Sequence, residues 1–227
     1  MPTDIAAFAP LVAVSPHLDD VVLSCAGLLA GSTDARVITV FAGFPAPYAE
    51  VTDWDEMCGF GPGDDVVGLR RAEDRAALAV LGAHPVWLDF VDEQYVTELA
   101  PSQEIAKRLR AELSSAGRPT IAFPLGLSHP DHERTHEACV QLLEETPELA
   151  ANWIAFTDVP YRGSHSAQVA TRVETLRSMG YDLEEFRLDP GGRKAAALAE
   201  YPSQLKGLAP ELDNATLPEE YFLLHRH

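Results

Sequence analysis

The sequence predicts an α/β fold of the Rossmann-like, doubly wound kind: a mostly parallel sheet with helices on both faces. Three observations predict it. Short apolar segments alternate with helical patterns for most of the 227 residues, the order that builds a parallel sheet between helix layers. The first strand segments are brief and almost wholly apolar, as strands covered on both faces are. The hydrophobic content, 46%, supports one sizeable core, so 1–227 reads as a single domain.

The elements follow in order. Leu11 to Ser15 is a strand stopped by Pro16, and Asp20 to Leu29 is a helix ended by Gly31. Arg36 to Phe41 is β-branched and reads as a second strand. Ala42 to Asp65 is a long stretch rich in Gly, Pro and aromatics, the composition of a functional rim. Asp64 is the expected N-cap of a helix over Val66 to Leu81, stopped by Gly82. Val86 to Phe90 is a third strand, Ser102 to Leu113 an amphipathic helix, and Thr120 to Phe123 a fourth strand. Asp131 to Leu143 is helical and Asn152 to Thr157 is a fifth strand. Helices over Ala167 to Met179 and Arg193 to Leu205 flank a strand at Glu185 to Leu188. His225 and His227 read as a polar tail.

Charge narrows the function. A net charge of -18 disfavours nucleic acid, whose phosphates reward clustered Lys and Arg, and disfavours an anionic membrane surface. No run approaches the roughly 20 apolar residues that span a bilayer, and Met1 to Pro10 has no signal-peptide pattern. Cys25, Cys58 and Cys139 are far apart and odd in number, which suits a reducing cytoplasm. No phosphate-cradling glycine motif is present.

Two clusters carry chemistry. Ser15-Pro16-His17-Leu18-Asp19-Asp20 follows the first strand, and Ser128-His129-Pro130-Asp131-His132 follows the fourth. In a sheet of order 3-2-1-4-5 those strands are neighbours at the switch point, where ligands bind beyond the strand carboxyl ends. Two imidazoles and one carboxylate leave a zinc position open for water, and water on zinc ionises near neutral pH. His17 and Asp20 offer two ligands from one tight turn, and His132 supplies the third from across the crevice. Asp19 is then free to take a proton. His129 remains to donate to developing negative charge. Each cluster alone also reads as an ordinary helix start, with Asp19 or Asp20 as N-cap. His136 reads as a packed histidine.

At these residues the chain resembles the PIG-L / LmbE-like deacetylase family. The matches are Pro16-His17-Leu18-Asp19-Asp20, His129-Pro130-Asp131-His132, and Arg70-Arg71-Ala72-Glu73 with Leu81-Gly82. The resemblance spans roughly Leu11 to Cys139. It implies a Rossmann-like fold and one zinc ion per chain held by His17, Asp20 and His132. It implies Asp19 as general base, His129 as the carbonyl-polarising group and Asp131 as the residue that holds His129. Arg70 and Asp92 fall where some members contact substrate; as plain residues they read as a helix charge and a loop cap. Val21 departs from the Glu usual after the Asp pair, and Leu127 from the Tyr that thiol-pathway members can carry.

The expected activity is hydrolysis of an N-acetyl group on a small amino sugar or glycoside, such as a natural-product intermediate. A sugar-linked thiol or its conjugate is the alternative substrate, and a non-catalytic, metal-dependent sugar binder the alternative class. A phosphohydrolase is disfavoured because magnesium prefers oxygen ligands. Trp54, Phe60, Tyr48 and Phe44 in the long stretch suit stacking on a sugar face, Trp54 foremost. The oligomeric state, a homo-oligomer included, is left open.

Overall fold

The computed structural model describes residues 5–46, 51–159, 161–189, 191–208, 215 and 217–226. One seven-stranded sheet runs through it: β1 (Leu11–Ser15), β2 (Ala35–Thr39), β3 (Ala83–Trp87), β4 (Thr120–Pro124), β5 (Asn152–Phe156), β6 (Tyr181–Leu188) and β7 (Glu219–Arg226). Their spatial order is β3-β2-β1-β4-β5-β7-β6. The first five are parallel, and β7 runs antiparallel between β5 and β6. The predicted α/β class and the 3-2-1-4-5 order are both present.

Strand alternation divides the core in two. Leu11 and Ala13 of β1 pack with Val22, Leu28 and Leu29 of α1 (Asp20–Gly31), Leu78 and Leu81 of α3 (Val66–Leu81), and Ala197 of α7 (Gly191–Leu198). Val12 and Val14 face the other way. They meet Ile105 and Leu109 of α4 (Ser102–Ser114) and Leu142 of α5 (Pro130–Glu145). Each fully buried aliphatic side chain contributes ~1.5–3 kcal/mol. α6 (Ser166–Ser178) lies against β6.

The structure corrects several boundaries. The long stretch contains a helix, α2 (Asp53–Cys58), capped by Thr52, which accepts from the Asp55 amide, and ended by Gly59 at φ 90. The cap of α3 is Asp65, whose side chain accepts from Gly68 N; Asp64 instead accepts from Gly61 N at 2.8 Å. β3 begins earlier than Val86 because its pairing with β2 starts at Ala83; as an edge strand it tolerates Pro85. The helix expected over Arg193 to Leu205 is two helices, α7 and α8 (Pro202–Gly207). Pro202 lacks an N–H and disfavours helix at Tyr201, which sits at φ -109, ψ 59. His225 is no polar tail. It lies in β7 opposite Asp182, with Nε2 3.2 Å from Glu184. His227 and Tyr48 lie outside the described residues.

Helix α1 is broken at Cys25, whose φ of -141 is non-helical. The freed amides of Ala26 and Gly27 donate to the Glu219 carboxylate at 3.0 and 2.8 Å. Lys194 closes the arrangement, donating to Leu23 O and, at 3.0 Å, to Glu219. A buried ion pair thus replaces the missing helical bonds, as burial requires. No helix among the described residues is long and apolar enough to cross a membrane.

Candidate metal-dependent active site

Both clusters stand at the carboxyl ends of adjacent parallel strands, β1 and β4. Ser15 shapes the first turn: its hydroxyl donates to His17 O at 2.6 Å and accepts from Val21 N at 3.2 Å. The backbone amide of His17 donates to Asp20 Oδ2 at 2.8 Å. That closes the turn and turns both side chains the same way. The second cluster starts α5, with Pro130 in the first turn, where a missing N–H costs nothing.

The structure brings His17, Asp20 and His132 together, with one potential ligand atom from each inside 4.8 Å of the others. Asp20 Oδ2 lies 3.2 Å from His17 Nδ1 and 3.2 Å from His132 Nε2. Donors held at about 2.0–2.1 Å in a tetrahedron stand about 3.3 Å apart, so the set fits a zinc ion. Among the described residues the buried His132 Nε2 has no hydrogen-bond partner besides the Asp20 carboxylate it faces at 3.2 Å, which is the condition of a nitrogen kept for a metal. The electrostatics agree. Burial lowers the His132 pKa, but the Asp20 charge and the bonds to Asp158 and Asp20 lift it to about 9. Burial likewise opposes protonation of His17, yet its bonds to Asp131 and Asp20 raise it. Positive charge belongs here.

Asp19 occupies the N-cap position of α1 but makes no capping hydrogen bond. It is buried, 7% exposed, and lines the same cavity. Burial first, and the Asp20 charge second, push its carboxyl up to about 7.

His129 caps α5 through its ring: Nδ1 accepts from the Asp131 amide at 3.2 Å. In the neutral ring the proton therefore sits on Nε2. Burial, then the charges of His17 and His132, lower its pKa to about 4. Asp131, which the resemblance implied holds this ring, bonds it through its backbone amide, while its carboxylate turns to other partners. It lies 3.1 Å from His17 Nε2 and accepts from Glu93 N at 3.1 Å.

The cavity, about 290 Å³, also includes Trp54, Arg70 and Asp92. Trp54 is fixed by α8: a Cβ on Gly207 would come within 2.7 Å of its ring. Arg70 is buried and engaged, 3.0 Å from Asp55 and 3.4 Å from Tyr95 Oη. Asp92 accepts from Gln94 N and Nε2 and stands 4.0 Å from His17 Nε2. Among the other loop aromatics, Phe60 faces Arg70 and Phe44 lies over Arg71. Leu127 is core, 0% exposed. Val21 is core as well, and His136 is buried with Nδ1 3.0 Å from Pro124 O.

Sequence reasoning missed Glu93, Gln94, Tyr95 and Tyr161 in the cavity wall, and Asp158, whose Oδ1 is 2.6 Å from His132 Nδ1. The signal for the first three was an acidic segment leaving β3 at the active edge. For Asp158 it was a lone acid just past β5.

A sequence-family model described as PIG-L, GlcNAc-PI de-N-acetylase, matches residues 12–143. No curated protein matches the chain. Several solved structures do. A deacetylase triple mutant (Orf2*T) of the teicoplanin biosynthetic pathway is 26% identical with a TM-score of 0.75, over 96% of this chain and 98% of that one. The A40926 pseudoaglycone deacetylase Dbv21 is 25% identical with a TM-score of 0.75, over 95% and 97%. The zinc inhibited form of teicoplanin deacetylase Orf2 is 23% identical with a TM-score of 0.75, over 96% and 98%.

Proposed function

The chain belongs to the PIG-L family, the GlcNAc-PI de-N-acetylases, and on that premise we propose that it is a zinc-dependent hydrolase that removes an N-acetyl group from a soluble amino sugar or glycoside. One observation carries the reading. Three donor atoms, two imidazole nitrogens each 3.2 Å from one Asp20 oxygen, sit beside a carboxylate, Asp19, that no helix cap consumes. A sugar binder has no need of that fourth group. A magnesium phosphohydrolase has no need of two imidazoles.

What zinc supplies here, when bound by His17, Asp20 and His132, is Lewis acidity toward the amide carbonyl and toward water. The chain's own residues do the rest. Asp19 takes the proton of the attacking water. His129, with Nδ1 occupied by the Asp131 amide, donates from Nε2 to the carbonyl oxygen as it gains charge. Asp19, once protonated, stands in the same cavity to return the proton to the leaving amine. Trp54 offers a flat apolar face for a sugar ring.

The teicoplanin and A40926 pseudoaglycone deacetylases named above support a natural-product intermediate over a membrane lipid as the substrate class. Leu127, sealed in the core, contributes nothing to a thiol conjugate. The acidic chain and its three free, buried cysteines suit the cytoplasm. A panel of N-acetylated amino sugars, glycosides and glycoside antibiotics, assayed for free amine, tests the reading. Amine release from at least one sugar amide is the expected result. Turnover confined to non-sugar amides, or none with zinc bound, overturns it.

Two variants refine it. His129→Ala is expected to lower kcat by roughly 10²–10³, the usual effect of one oxyanion donor, with a smaller change in KM and full zinc content. Zinc loss equal to that of His132→Ala would make His129 a ligand instead. Trp54→Ala is expected to raise KM roughly 2- to 12-fold, matching ~0.5–1.5 kcal/mol of ring contact. An unchanged KM on every sugar would remove Trp54 from the binding surface.

A further inference from the structure

Asp158 lies outside residues 12–143 and has no part in the chemistry above. We propose that Asp158 is a positioning residue: its carboxylate fixes His132 in the one tautomer that offers Nε2 to a metal. The turn it occupies also ties together the two helices that bear the ligands. This rests on the reading of His17, Asp20 and His132 as zinc ligands.

The geometry is specific. Asp158 is 1% exposed, and His132 is equally buried. Its Oδ1 stands 2.6 Å from His132 Nδ1, and its Oδ2 accepts from Gly126 N at 3.0 Å. A carboxylate only accepts. In the neutral ring that a metal would bind, the shared proton therefore sits on Nδ1 and the Nε2 lone pair is left for the ion, on the side of Asp20 Oδ2, 3.2 Å away. The second oxygen is engaged by Gly126, so the carboxylate resists rotation. Gly126 adopts φ +73, and a Cβ there would approach His136 Cβ to 2.5 Å. The loop is thus clamped onto α5 at a position that only glycine fits.

The next residue extends the tie. Val159 N donates to Ser24 Oγ at 3.0 Å, and Ser24 lies on α1, the helix that begins with Asp20. Two consecutive residues therefore join the helix of His132 to the helix of Asp20. His17 has a matching arrangement, its Nε2 held by the buried Asp131. Such outer carboxylates fix ring orientation and ligand basicity, and losing one typically costs 10–100-fold in metal affinity.

Asp158→Asn and Asp158→Ala separate positioning from mere packing. In the Asn variant the amide oxygen keeps the Gly126 bond. The amide NH₂ then faces His132 Nδ1 and drives the ring proton to Nε2, where it blocks the metal. The Ala variant leaves room for water and imposes no tautomer. Zinc affinity, measured on apo protein by chelator competition, should fall in the order wild type, Ala, Asn, with Asn down by roughly 10–100-fold. Thermal melting of the apo forms checks folding. A packing role predicts the reverse order, because Ala leaves a cavity and Asn is isosteric. Asn within about threefold of wild type, or Ala below Asn, overturns the proposal. A wild-type chain that binds no zinc overturns the ligand reading itself. Should Asp158→Asn not fold, ¹⁵N ring spectra of the zinc-loaded wild type decide. A His132 proton on Nδ1 supports the proposal, and one on Nε2 overturns it.

Discussion

His132→Ala is expected to purify with almost no zinc, against about one ion per wild-type chain, and with activity at background. The expectation follows from what would remain. His17 and Asp20 come from one turn and supply only two donors, and two donors leave the ion largely to water. His17→Ala should behave alike, leaving Asp20 and His132 on opposite sides of the crevice. Elemental analysis of protein prepared without chelator measures the ion directly. Chelator treatment of the wild type should reproduce the loss, and added zinc should restore the rate. Magnesium in the wild-type site, or a fully loaded His132→Ala, would end the zinc assignment.

That assignment was largely legible in the sequence because its parts are local. His17 and Asp20 lie within one turn, His129 and His132 within another, and each turn ends a strand whose apolar run is easy to read. Their meeting needed one further step, the switch-point order, which the sheet has. What stayed illegible depends on distant contacts. β7 pairs with β5 and β6, and no periodicity in Glu219–Arg226 announces those partners. Helix α2 is shorter than a reliable helical pattern, so the long stretch read as a loop, and only its Trp54 among the described loop aromatics reaches the cavity wall. Asp131 was assigned to its sequence neighbour His129, yet its rotamer is set by Glu93 N and His17 from other segments. Asp158 is a single acid without a spacing partner; only the fold puts it beside His132.

Asp19→Asn is expected to keep its zinc and lose activity by on the order of 10²–10⁴-fold, the range for removal of a general base. Two roles compete for this residue, and the structure separates their consequences. As an N-cap, Asp19 would accept from an amide of the first turn, and Asn caps nearly as well. Such a substitution would leave both stability and rate almost intact. The side chain makes no such bond. It sits buried in the cavity wall beside the donor set, where Asn preserves shape but cannot accept a proton from water. The ligands His17, Asp20 and His132 are unchanged in this variant, so metal content isolates chemistry from binding. The informative measurement is kcat on whichever N-acetyl sugar the wild type turns over, with zinc quantified in the same preparation. A zinc-loaded variant near the wild-type rate would reduce Asp19 to a structural residue.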